Sequence, residues 1–160
     1  MCPPKRALAP QIVASPARDR WYPASVIIAD ATVWSAALDG QVRGLDALLA
    51  SLRQRREVSA PAAVFAEVLA DCTDDRSAGQ VRGWALDAAP VNETGLAWLA
   101  SGDLGARLRS QGIMLSALDT DLVTLCVLEG WQLWSMNSAI HRVASSLPVR
   151  LYDPPGLSSK

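Results

Sequence analysis

The sequence predicts an α/β fold, a three-layer α/β/α arrangement around a central, mostly parallel sheet. Three observations carry that expectation. Short β-branched or apolar runs alternate with segments whose apolar residues recur at helical spacing, the pattern of strands joined by crossover helices. The first such run, "SVIIAD" at 25–30, barely alternates, as expected of a strand buried on both faces. A length of 160 residues, half of them hydrophobic and 19% charged, suits one domain with a proper core.

Taken in order, residues 25–30 form the first strand and Gly40 closes a turn. Val42, Leu45, Leu48, Leu49 and Leu52 then mark a helix, which "RQRRE" ends with cations at the negative pole of its dipole. "EVSA" at 57–60 is a short strand, and Pro61 suits the first position of a helix carrying Phe65, Val68, Leu69 and Cys72 on one stripe. Residues 76–88 and 94–110 read as two further helices. "GIMLSALDTDLVTLCVLEG" is a turn followed by a helix apolar on most sides, hence buried. "WQLWS" is a strand, 138–145 a short helix and "VRLYD" a last strand. The domain runs over 25–153, after an arm of residues 1–24 and before a tail of residues 154–160. Four prolines precede residue 20, which argues for a flexible arm. Its signal-like start is rejected because Pro10 and Gln11 interrupt the short apolar stretch.

Composition narrows the chemistry. The net charge of −1 provides no global pull toward nucleic acid or anionic membrane, so an RNA contact needs a local patch of arginines. No apolar run reaches the length of a membrane span. Cys2, Cys72 and Cys126 are odd in number and form no C-x-x-C pair, which signals neither a disulfide framework nor a zinc site and fits a reducing cytoplasm. His141 is the one histidine, so no H-E-x-x-H site exists. There is no G-x-S-x-G elbow and no G-K-[ST] phosphate loop, and Lys5 and Lys160 are the only lysines. Acids and a divalent cation are what remain.

Open parallel sheets bind ligands at the carboxyl ends of their strands, beside the point where strand order reverses. Asp30 stands at such an end; the competing reading is a turn or helix-capping aspartate. Acids at strand ends and helix starts can gather into an oxygen cage for Mg²⁺ or Mn²⁺, which would position a phosphodiester and activate water. Here Asp30 leads "DATVW", "VFAEVLA" carries Glu67, and "LDTDLVTLCVLEG" carries Asp119. This series, with the order and lengths of the elements, resembles the PIN-domain family, specifically the VapC-like toxin ribonucleases of VapBC toxin–antitoxin pairs. The resemblance covers roughly residues 25–153. It implies a PIN-like fold, a Mg²⁺- or Mn²⁺-dependent endoribonuclease, an RNA substrate, a cognate antitoxin and a homodimer. Asp30, Glu67 and Asp119 would hold the metal, with Thr32 behind them as a partner for Asp30 or for water.

The sequence departs from the family after "WQLWSM", where Asn137 occupies the position of a fourth acid. An amide can orient water or ligate weakly but brings no charge. Leu122, Val123 and Thr124 replace smaller residues in the buried helix, a matter of packing. Each acid also has a plainer reading. Glu67 can be a solvated helix residue, Asp119 a cap, Ser135 and Asn137 strand-end polar groups, and His141 a helix-surface residue. Asp121 lies two residues from Asp119, roughly opposite in direction. Trp34, Trp131 and Trp134 suit the core, while Trp84 and Trp98 suit an interface. Arg53, Arg55, Arg56, Arg76, Arg82, Arg107 and Arg109 could meet phosphates or an acidic antitoxin tail, but a solvated face is the expected role for most. The alternative function is a PIN-like binding module without nuclease activity. A haloacid-dehalogenase-like phosphatase would need an acid where Thr32 stands, and a receiver domain a late lysine that is missing.

Overall fold

A computed structural model describes residues 26–88, 91 and 95–157. The arm at 1–24 lies outside the described residues, as do 158–160 of the tail. Four strands, β1 (Ile27–Ala29), β2 (Val58–Ser59), β3 (Gln132–Trp134) and β4 (Arg150–Leu151), form one sheet in the order β2-β1-β3-β4. Every pairing is parallel. Seven helices complete the described chain: α1 (Ala31–Leu38), α2 (Leu45–Gln54), α3 (Ala62–Ala70), α4 (Asp75–Asp87), α5 (Gly95–Ser110), α6 (Ala117–Glu129) and α7 (Ser138–Ala144). The expected three-layer α/β/α class with a parallel sheet is what the chain adopts. All four expected strands are present, each shorter than its apolar run.

Strand order creates the crevice. The chain steps from β1 to β2 on one side, then crosses back through α3 to α6 to lay β3 on the other side of β1. The reversal therefore falls between β1 and β3, and the carboxyl ends of those two strands flank it. Val26, Ile27, Ile28 and Ala29 are all buried, as the unalternating run requires.

One helix escaped the sequence reading. Residues 31–38 fold as α1 directly after Asp30, which acts as its N-cap by accepting from the Val33 amide at 3.2 Å. Thr32 and Val33 are weak helix formers, and propensity alone argues against this helix. Burial decides it: Val33 and Trp34 are fully buried, and the Trp34 indole donates to the Ala29 carbonyl at 3.1 Å. The Trp34 ring packs against Phe65 and Trp84 with centroids 5.1 and 5.3 Å apart. Trp84 thus belongs to the core, not to an interface as expected, because Val81 and Trp84 form the buried stripe of α4. Trp98 is 42% exposed on α5.

Boundaries moved by small amounts. Pro61 is the N-cap of α3 and not its first helical residue, and Cys72 lies past the end of α3. The helix expected from Val42 starts at Leu45. Gly130, at φ 67°, ends α6 in the left-handed conformation and sends the chain into β3. In the tail, Leu157 packs against the core.

Candidate functional site

Asp30 is the first residue beyond β1 and is 1% exposed. Its Oδ1 accepts from the Thr32 hydroxyl at 2.5 Å and from the Val33 amide at 3.2 Å. Its Oδ2 accepts from the Ser135 hydroxyl, which comes from the neighbouring strand end 105 residues later. The backbone amide of Asp30 donates to the Trp134 carbonyl at 3.0 Å, so the two strand ends are locked in register. The capping role, one of the two readings the sequence offered, is filled by Oδ1, while Oδ2 is turned to Ser135 at the neighbouring strand end. Burial pushes its pKa up, with the charge of Asp119 adding to the rise, while the bonds from Ser135, Thr32 and Val33 pull it down.

Thr32 does two things at once, since its hydroxyl also accepts the Met136 amide at 3.0 Å. It therefore ties α1 to the turn that follows β3. In that turn the Asn137 amide donates to the Ser135 hydroxyl at 2.9 Å. The Asn137 side chain caps α7 by accepting the Ala139 amide at 2.9 Å through Oδ1. That bond fixes the amide's orientation, because a backbone N–H can meet only the oxygen. Nδ2 is then left to donate to Asp119 Oδ2 at 3.2 Å. Asn137 meets the acids as a hydrogen-bond donor, with its oxygen engaged in the cap.

Asp119 does not cap α6. Ser116 does, accepting the Asp119 amide at 2.9 Å, in the S-x-x-D spacing of "SALD". The carboxylate of Asp119 is thereby left to face Asn137. Asp121 is fully buried inside the molecule, on the far side of the helix turn from Asp119, as their spacing predicts. Glu67 is exposed on α3. Its pKa is raised by partial desolvation first, then by the charges of Asp119, Asp71 and Asp30.

Asp30, Glu67 and Asp119, from three separate elements, are thus electrostatic neighbours. Among the described residues, no three His, Cys, Asp or Glu side chains form a ready metal cage. The donor chemistry nonetheless fits Mg²⁺ or Mn²⁺, both hard cations that take oxygen ligands. A carboxylate offers about four acceptor positions, and the three protein donors on Asp30 leave room for one more partner.

Ser135, which the sequence reading left as a strand-end polar group, is a participant. Its only signal was its place at the end of the strand adjacent to β1, which required the strand order to interpret. Of the arginines, Arg53 bonds Asp87 at 2.7 Å and Arg55 bonds Glu57 at 3.0 Å. Arg56, Arg76, Arg82, Arg107 and Arg109 are exposed.

Neither a protein-family model nor a curated protein matches the chain. Solved structures do. VapBC2 from Rickettsia felis, bound to a DNA fragment from their promoter, matches with a TM-score of 0.64 at 12% identity, over 79% of this chain and 97% of that one. VapBC-1 from nontypeable Haemophilus influenzae gives 0.58 at 10% identity, over 80% and 97%. FitAcB from Neisseria gonorrhoeae gives 0.56 at 17% identity, over 82% and 100%. At such identities the likeness is one of fold, the PIN-like α/β/α architecture.

Proposed function

We propose that this protein is a Mg²⁺- or Mn²⁺-dependent endoribonuclease, the toxin of a toxin–antitoxin pair, acting through Asp30, Glu67 and Asp119. The observation that carries the reading is a buried carboxylate at the strand-order reversal, linked through the Ser135 and Asn137 hydrogen bonds to Asp119 of α6, with Glu67 of α3 as the third acid. Negative charge gathered in one crevice disfavours the empty site and favours a divalent cation. When bound, the cation supplies charge stabilisation for phosphodiester hydrolysis. The chain's own part is orientation. Ser135, Thr32 and the Val33 amide hold both oxygens of Asp30, and Asn137 holds Asp119.

The partners follow from the same reading. The VapBC likeness supports a cognate antitoxin, and the RNA substrate rests on the resemblance of the Asp30, Glu67 and Asp119 motifs to the VapC-like ribonucleases. The exposed apolar residues Leu96, Trp98 and Leu99 on α5 support a homodimer. A cytoplasmic location is consistent with its cysteines, and no described helix is long and apolar enough to cross a membrane.

The test is cleavage of single-stranded RNA by the full chain with Mn²⁺ or with EDTA, beside Asp30→Asn, Glu67→Gln and Asp119→Asn. Cleavage in Mn²⁺ should fall by about a hundredfold or more in Asp30→Asn, since several kcal/mol of charge stabilisation leave with the metal. Equal cutting in EDTA, or by Asp30→Asn, would overturn the assignment. The second reading, a binding module without nuclease activity, is favoured by Asn137, whose oxygen caps α7 and which brings no charge. Calorimetry separates the two: Mn²⁺ uptake abolished by Asp30→Asn supports the nuclease.

A further inference from the structure

His141 is the single histidine of the chain and lies on the exposed side of α7. Its Nε2 is 2.7 Å from the carbonyl oxygen of Ser135, six residues earlier. A carbonyl only accepts, so Nε2 carries the proton. The reach follows from helix geometry, because side chains lean toward the helix N-terminus, and α7 begins just beyond the Ser135–Asn137 turn. The ladder between β3 and β4 ends at Leu133 and Leu151, so Ser135 lies past the last paired residue of its strand.

What the imidazole grips is the turn that joins the acids. Ser135 bonds Asp30, Met136 bonds Thr32, and Asn137 bonds both Ser135 and Asp119. Those three consecutive residues carry the bonds that tie the turn after β3 to the side chains of Asp30, Thr32 and Asp119, beside the backbone bond from the Asp30 amide to the Trp134 carbonyl. Besides α7's own backbone bonds, His141 supplies a side-chain tether from the helix back across the turn. We propose that His141 is a positioning residue, its imidazole clasping the Ser135–Asn137 turn so that Asp30 and Asp119 keep a fixed separation. The clasp survives protonation, since the imidazolium also donates from Nε2.

The consequence for a divalent cation rests on the nuclease reading above; the clasp itself does not. The experiment compares the full chain with His141→Leu and His141→Gln. The carboxamide of glutamine can donate to the same carbonyl, whereas leucine cannot. A long-range ¹H–¹⁵N spectrum of the lone imidazole should show the Nε2–H form in the wild type. Mn²⁺ affinity by calorimetry should fall about three- to tenfold in His141→Leu, the size of one hydrogen bond, and be largely restored in His141→Gln. Amide exchange at Met136 and Asn137 should quicken in the leucine variant alone. An Nδ1–H tautomer, or equal exchange in all three proteins, would overturn the clasp. Unchanged Mn²⁺ affinity in His141→Leu would overturn its positioning role. Absence of Mn²⁺ binding in the wild type would sink the nuclease reading, and exchange would then decide the clasp by itself.

Discussion

At the scale of single residues, Asp30 is governed by opposing forces whose balance is measurable. Burial and the charge of Asp119 raise its pKa against three donors that lower it, and burial and neighbouring acids raise Glu67 as well. A group with a raised folded pKa binds its proton more tightly in the folded chain. Its contribution is present below the unfolded value and lost as pH rises through the folded one. The window opens near 3.8 for Asp30 and 4.5 for Glu67 and closes at their raised values. Without metal, the melting temperature should therefore fall as pH rises through that window. Asp30→Asn with Glu67→Gln should flatten the slope, and a wild-type slope of opposite sign in metal-free melts would refute this balance. Asp74, lowered mainly by its bonds from Ser77, acts in the opposite sense and only below 3.8. Asn137→Asp bears on the same charges. The substitution replaces a donor to Asp119 with a like charge, so metal-free stability should drop by about 1–3 kcal/mol. Mn²⁺ should restore more stability to the variant than to the wild type, because the ion binds only the folded form. Paired melts with no larger metal response in the variant would remove Asn137 from the metal's surroundings.

The elements show where local signals sufficed and where they did not. The buried helix α6 was readable from its apolar run, whereas its cap is Ser116 and not the Asp119 that the sequence offered. By contrast, α1 is held by burial of Trp34 between Phe65 and Trp84, and no periodicity in eight residues announces that. Truncating Trp34 to alanine should cost about 3–5 kcal/mol in urea unfolding, mostly from the cavity left at the junction of α1, α3 and α4. The end of α2 offers a gain in place of a loss. Arg56 adopts φ 57°, a left-handed conformation that burdens any residue with a Cβ, and it is exposed. Arg56→Gly should raise stability by about 0.5–1 kcal/mol, less the flexibility glycine adds to the unfolded chain. An unchanged or lower urea midpoint would show that Arg56 makes contacts worth more than the strain.

For the whole molecule, the feature that bears on assembly is α5. Leu96 and Leu99 are 78% and 70% exposed, and Trp98 shows 42% of its surface. In the proposed homodimer that face would be covered. Leu96→Ser with Leu99→Ser should then shift sedimentation toward monomer with little change in the monomer's own stability, because neither side chain is in the core. A wild-type chain that sediments as monomer at all concentrations would exclude the dimer. Topology also explains how the crevice exists at all: the reversal between β1 and β3 leaves their carboxyl ends side by side, with α1 and α7 starting on either flank.

The sequence by itself determined the class of fold, all four strands and most of the helices, because strand and helix periods are local properties of apolar spacing. It also singled out Asp30, though only as the first member of the series Asp30, Glu67 and Asp119; an aspartate after a strand, taken alone, is most simply a cap. Only the tertiary structure decided which polar groups meet. Ser135 reaches Asp30 across 105 residues, Asn137 turns its amide nitrogen to Asp119 because the Ala139 amide claims the oxygen, and His141 closes on Ser135. Those contacts depend on strand order and on which end of each helix faces the crevice. Hydrogen bonds act over about 3 Å, and separation along the chain carries no information about them until the sheet has brought the strand ends together.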